Sequence, residues 1–256
     1  MRKSINIRGM KLGEGRPKVC VPITGKSEAD ILKEAKLAQD AGADLVEWRA
    51  DYYEDVHKSG KAAEMAVKLR ETAGEMPVLF TYRTEGGENP ISLEEYISLN
   101  KSIAAGKAAD LIDIELFMGD EVCREFCEYA HQNGCVVVIS SHDFERTPND
   151  QTIVERMCKM RELGGDVPKV AVMPHNAEDV LTLLSATNQY ANVHADGPLI
   201  TMSMGRLGGV SRISGEIFGS SLTFGSTLRS SAPGQLSIKE VNYILDALHK
   251  EEEESA

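Results

Sequence analysis

Eight times along this chain a short apolar run is followed by a segment whose apolar positions recur at helical spacing. The first run is Lys18-Val19-Cys20-Val21-Pro22-Ile23, after which Ser27 and Asp30 open a helix that carries Ile31, Ala35 and Ala38 and stops at Gly42. Asp44–Arg49, Pro77–Arg83, Leu111–Glu115 and Cys135–His142 precede predicted helices around 60–73, 92–105, 120–132 and 149–163. The stretch Asp166–Pro174, Pro198–Met204 and Ser221–Gly225 precede helices near 176–189, 208–217 and 237–250, the last with a capping box in Ser237 and Glu240. Eight mostly apolar strands, each followed by a helix, in 256 residues predict an α/β protein built as one (β/α)8 barrel. An open dinucleotide-binding sheet is disfavoured, because no G-x-G-x-x-G follows the first strand. Ahead of the barrel, Ser4–Arg8 and Met10–Leu12 read as a small hairpin within residues 1–17, and no low-complexity linker divides the chain, so 1–256 is taken as one domain.

Composition narrows the function. A formal charge of −12 argues against nucleic acid and anionic membrane as partners, since both require a basic face. Part of that excess is an acidic tail over 251–256, read as a solvated end. An anionic substrate would therefore have to be held by a few arginines gathered locally. No apolar stretch nears the roughly 20 residues of a membrane span, and the basic N-terminus lacks the apolar region of a secretory signal, so a cytoplasmic location is expected. Five cysteines, with no paired-framework spacing, read as free thiols; Cys123 and Cys127 lack a third metal ligand, and the six histidines show no H-x-H or H-E-x-x-H spacing, so no metal is expected.

Lys169 is the polar exception in the run Val167–Met173. A lysine entering a buried strand must snorkel to solvent or accept desolvation, which favours the neutral, nucleophilic amine of Schiff-base chemistry. For a single lysine the commoner outcome is an ammonium capping the strand end in water. Its place early in the run puts it at the bottom of a barrel, unless Val167 and Pro168 already belong to the strand and the lysine points inward. Other polar groups fall where barrel enzymes keep reactive residues, at the C-terminal strand ends: Glu47 and Arg49, Arg83 and Glu85, His142 and Asp143, then Arg212, Ser231 and Gln235. Taken singly, His142 could be a hydrogen-bonded structural residue and Glu47 with Arg49 a surface ion pair.

Together these segments are specific. Val46-Glu47-Trp48-Arg49-Ala50-Asp51, Phe80-Thr81-Tyr82-Arg83 with Glu85-Gly86-Gly87, Ser140-Ser141-His142-Asp143-Phe144, Pro168-Lys169-Val170-Ala171, Met202-Ser203-Met204-Gly205, Ser211-Arg212 and Ser231-Ala232-Pro233-Gly234-Gln235 run in the order of the type I 3-dehydroquinate dehydratases, which this chain resembles over nearly its whole length. The resemblance implies a (β/α)8 barrel with Lys169 in its mouth, forming an imine with the C3 ketone of 3-dehydroquinate, and no metal or other cofactor. It implies His142 as the base and acid of a syn elimination of water, with Glu85 orienting it. It implies Arg212 as the clamp on the ring carboxylate, assisted by Ser231 and Gln235; separately, Pro233 and Gly234 suit the loop at 229–237 to closing as a lid. Glu47, Arg49 and Arg83 would hold ring hydroxyls, and Met202, Met204, Phe144 and Phe224 would pack on the carbocycle, in a homodimeric enzyme of aromatic amino acid biosynthesis. The single residue between Arg83 and Glu85 is shorter than the family spacer, which leaves Glu88 and Asp113 as other partners for His142. A class I aldolase, with Gly205, Gly208 and Gly209 cradling a phosphate, and a non-catalytic carboxylate-binding barrel are the competing readings.

Overall fold

The computed structural model describes residues 3–227 and 235–249. Ser231 and most of the expected lid lie outside them. The N-terminal hairpin pairs β1 (Ile5–Ile7) with β2 (Met10–Leu12) around Arg8 and Gly9, whose φ angles of 50° and 87° are the left-handed pair that a tight two-residue turn requires.

Eight parallel strands follow: β3 (Lys18–Ile23), β4 (Leu45–Arg49), β5 (Val78–Thr81), β6 (Leu111–Glu115), β7 (Val136–Asp143), β8 (Val167–Val172), β9 (Ile200–Ser203) and β10 (Leu222–Phe224). They lie in the order β10-β3-β4-β5-β6-β7-β8-β9. The ring closes where the Ser221 amide donates to the Leu199 carbonyl (2.8 Å) and the Thr201 amide to Ser220 Oγ (3.0 Å). With helices around it, this is a TIM barrel.

The helices are α1 (Glu28–Asp40), α2 (Lys61–Ala73), α3 (Leu93–Ala105), α4 (Asp120–Gln132), α5 (Asp150–Glu162), α6 (Ala177–Val193), α7 (Gly209–Ile213), α8 (Gly215–Phe218) and α9 (Ile238–Leu248). Their starts are chemically marked. Ser27, Asn149 and Asn176 each accept the amide three residues on, and Ser92–Glu95 and Ser237–Glu240 form full capping boxes. The helix predicted over 208–217 is split at Ser214. There the serine hydroxyl donates back to the Val210 carbonyl (2.8 Å), and Gly215 packs so close to the Ser220 carbonyl that a Cβ would lie 2.6 Å from it.

Alternation along the strands divides the side chains into two sets. Outward residues such as Val19, Val21, Trp48, Phe80, Ile112, Ile139 and Val170 form one core with the helices, within which Trp48 meets Phe80 edge-on at 5.5 Å. Inward residues Cys20, Leu45, Leu79, Leu111, Val138, Val167 and Leu222 form a second core, closed from below by Ile7 and Leu12 of the hairpin. Arg8 Nε tethers that hairpin to Asp110 Oδ1 at 2.6 Å. Two residues further along five strands the inward set changes character: Leu45 gives way to Glu47, Leu79 to Thr81, Leu111 to Asp113, Val138 to Ser140 and Val167 to Lys169. The barrel is apolar at its floor and charged above it.

Candidate active site

β8 begins at Val167, so Lys169 is its third residue, one inward step above Val167. That settles which of the two placements the lysine takes: Val167 and Pro168 belong to the strand, and the amine points into the barrel. Only 3% of Lys169 is exposed, yet its charge is compensated: Nζ lies 3.0 Å from Glu47 Oε1 and 3.5 Å from Asp113 Oδ2, with the Phe224 ring centroid 4.9 Å away. Of the two outcomes open to a lysine in a buried strand, the side chain takes the buried one, with carboxylates beside it.

Behind Lys169 the polar layer is fully bonded. Glu47 Oε1 also accepts from Thr81 Oγ1 (3.0 Å), and Asp113 Oδ1 accepts from Ser140 Oγ (2.7 Å). Arg83 bridges Asp113 Oδ2 (3.2 Å), Glu115 Oε1 (2.5 Å) and Ser140 Oγ (3.1 Å), while Thr84 donates its hydroxyl to Glu115. Burial alone would raise the Asp113 pKa, but Arg83, Lys169 and Ser140 hold it below the ordinary range. Burial likewise opposes the Arg83 charge, and Asp113, Glu115 and Glu47 more than offset it.

His142 follows Ser140 on the same face of β7 and lines the cavity with Lys169. Burial, then the positive charges of Arg83, Lys169 and Arg49, push its pKa well below the ordinary histidine value, so the ring is neutral and able to take a proton. Its neighbour Asp143 turns away and caps the next turn, accepting the Glu145 and Arg146 amides. The imidazole stacks on Phe144, with centroids 5.9 Å apart and planes 18° from parallel.

Among the described residues no carboxylate bonds His142. Glu85, expected there, is exposed on the loop after β5 and does not line the cavity. On either side of Glu85 the loop is fastened inward, with Thr84 bonded to Glu115 and Gly87 turned so tightly that a Cβ there would lie 2.0 Å from the Arg83 carbonyl oxygen, while Glu85 itself faces solvent. The two other named partners are engaged elsewhere, Glu88 with Lys26 at 3.5 Å and Asp113 as above. Gly86 does reach the cavity, against Phe144.

Arg212, on α7, is 2% exposed and lines the same cavity, and its Nε and Nη2 have no hydrogen-bond partner among the described residues. Burial without compensation lowers its pKa to about 10. A buried guanidinium whose Nε and Nη2 are unbonded among the described residues can donate to two oxygens of an anion. Arg49 lines the same cavity; burial opposes its charge, and the hydrogen bonds it donates to Asp51, with that carboxylate's charge, more than offset the burial. Met202, Met204, Phe144, Phe224 and Gln235 complete the wall, joined by Tyr52, Met173 and Ala171, which sequence reasoning missed. Asp113 and Glu115 were readable as carboxylates two apart in an apolar strand, a spacing that puts both on the inward face. The cavity measures about 260 Å³. That is just below the roughly 300–1,000 Å³ of drug-sized ligand sites and suits one small anionic ring.

The model of the type I 3-dehydroquinase family matches residues 19–252. The chain belongs to that family. By membership it is an enzyme of the dehydratase (hydro-lyase) class. The 3-dehydroquinate dehydratase of Clostridioides difficile is 51% identical over 252 residues, 98% of this chain and 99% of that one, and that of Clostridium botulinum is 47% identical over the same share of each. A crystal structure of the type I enzyme of Clostridium difficile with covalently modified comenic acid superposes with a TM-score of 0.94 at 50% identity, over 97% of this chain and 99% of the other. The family fold is therefore the barrel described above. Among the described residues no cluster of three His, Cys, Asp or Glu is arranged to hold a metal ion.

Proposed function

We propose that this protein removes water from 3-dehydroquinate to give 3-dehydroshikimate, in the shikimate pathway, through an imine on Lys169. What carries the reading is that a buried lysine, a neutral histidine and an arginine with unpartnered donors line one small cavity. The covalently modified ligand named for the Clostridium difficile relative supports a covalent step.

The Lys169 amine, having passed a proton to Glu47, adds to the C3 carbonyl carbon, and the carbonyl oxygen departs as water with that proton returned, leaving a protonated imine. That cation draws electrons from C2 and acidifies its hydrogen. His142 takes the C2 proton, the electron pair passes into the enamine, and the C1 hydroxyl leaves as water with the proton that His142 returns. A single base on one side of the ring makes the elimination syn. Water then hydrolyses the imine and restores the amine. Arg212 holds the ring carboxylate with its planar fork, with Gln235 and Ser231 beside it; Glu47, Arg49 and Arg83 face the ring hydroxyls; and Met202, Met204, Phe144 and Phe224 contact the carbocycle. Glu85 orients His142 when its loop, already against Phe144 through Gly86, folds inward over substrate. Family membership extends the reading to a cytoplasmic homodimer.

Borohydride added during turnover of 3-dehydroquinate should reduce the imine and leave the ligand mass on the peptide holding Lys169. Inactivation with the label on a different lysine overturns the reading.

A further inference from the structure

Asp51 is completely buried in the short turn Ala50–Tyr52 after β4, and nothing in the proposed chemistry uses it. Its carboxylate takes the whole rear edge of Arg49: Nε donates to Oδ1 at 2.8 Å and Nη2 to Oδ2 at 2.7 Å. The flat face of the same guanidinium lies over the Tyr52 ring, 4.9 Å from its centroid. Two bonds and a stack leave a planar cation no freedom to rotate. Nη1 is then the part of the fork with no hydrogen bond to the described residues, on a side chain that lines the cavity.

The carboxylate is itself fixed from the other side. The Arg83 amide donates to Oδ1 and the Glu88 amide to Oδ2, each at 3.3 Å, and Asn89 Nδ2 donates to the Asp51 carbonyl at 2.7 Å. Gly87 passes so near that a Cβ would lie 3.2 Å from Oδ2. Fastening this loop would need only an acceptor for two amides, which an asparagine oxygen could supply in part. A buried negative charge is costly, and what it adds here is the bidentate grip on Arg49.

We infer that Asp51 is a positioning residue for substrate binding, acting through Arg49, which it holds in the one orientation that presents a free donor to the ring hydroxyls. The inference rests on the proposed function for the identity of the ligand. It makes the pair a unit: Arg49 without Asp51 keeps its charge and loses its aim.

The test is a double-mutant cycle read in KM for 3-dehydroquinate. Asp51→Asn should raise KM roughly tenfold, the scale of one charge-assisted hydrogen bond lost, while kcat changes less. In an Arg49→Gln background the same substitution should add nothing further, because the group it acts through is gone. An equal rise in both backgrounds, or an unchanged KM in folded Asp51→Asn, overturns the assignment. If Asp51→Asn does not fold, Arg49→Lys breaks the fork with Asp51 in place and should raise KM alike; an unchanged KM there also overturns it. A wild-type chain without turnover would sink the proposed function alone. The positioning is then read from the Arg49 Nε–H resonance in ¹⁵N-arginine-labelled protein: slow solvent exchange in the wild type and fast exchange in Asp51→Asn support it, and equal exchange in both refutes it.

Discussion

Lys169 Nζ lies 3.0 Å from Glu47 Oε1, and both side chains are buried at the level where the barrel lining turns from apolar to charged. An amine that is to attack a carbonyl must first shed a proton, and this carboxylate is the nearest group able to accept it. Glu47→Gln keeps the shape and removes the acceptor. Imine formation, followed by rapid mixing and borohydride quench, should slow by about 100-fold, within the usual range for a lost general base. A trapping rate within about threefold of the wild type would show that another group takes the proton.

The neutral state of His142 sets a pH profile. Burial and the charges of Arg83, Lys169 and Arg49 place its pKa well below 6.5, so the acid limb of kcat/KM should fall below that value. The same shift has a stability consequence. Between the depressed folded pKa and 6.5 the unfolded chain binds a proton that the folded chain does not, so stability is complete above about pH 6.5 and declines as pH falls through that window. Removing a positive neighbour, as in Arg49→Gln, should move the His142 titration upward. An imidazole titrating at or above 6.5 by NMR in the wild type contradicts this account.

Arg212 sets function against stability. Its buried charge has two donors without partners among the described residues, which costs the empty protein free energy that a bound carboxylate would recover. Arg212→Met should therefore raise Tm by roughly 2–4 °C, about 1 kcal/mol in a protein of this size, and raise KM at least about 100-fold. A variant that binds poorly and also melts earlier would show that the guanidinium is compensated in the free protein.

Glu85 offers a contrast with the histidine it orients in the proposed mechanism. Because it is exposed in the free protein and reaches the imidazole only when its loop folds over substrate, while Phe144 already stacks on that ring, Glu85→Gln should lower kcat by less than about tenfold, whereas His142→Ala should lower it by about 1,000-fold or more and still form the imine. Equal losses in the two variants would make Glu85 as central as the base itself.

The strands and most helices were legible because alternation, helical spacing and caps are local signals, and Lys18–Ile23 and Leu111–Glu115 have the predicted bounds. Lys169 was harder. Val167 and Pro168 look like an approach to the strand, and only pairing with Val138 and Ile139 of β7 shows that they are part of it. The break at Ser214 depends on how closely Gly215 approaches Ser220, a contact that spacing does not reveal. Within the site, the inward face of the strands was readable, and so were the residue types. What could not be read was which cation meets which carboxylate. Asp113 became the hub of Arg83, Ser140 and Lys169 because shear brings β5, β6, β7 and β8 to one level. Ser231 lies outside the described residues.

The hairpin stoppers the barrel floor with Ile7 and Leu12, so the cavity described here opens at the other end, among the C-terminal ends of the strands. Reactant, expelled water and product must all use that opening, in turn. A ligand that lodges there shuts out the next molecule without touching the lysine, and occupancy of the entrance can limit throughput as firmly as the chemistry beneath it.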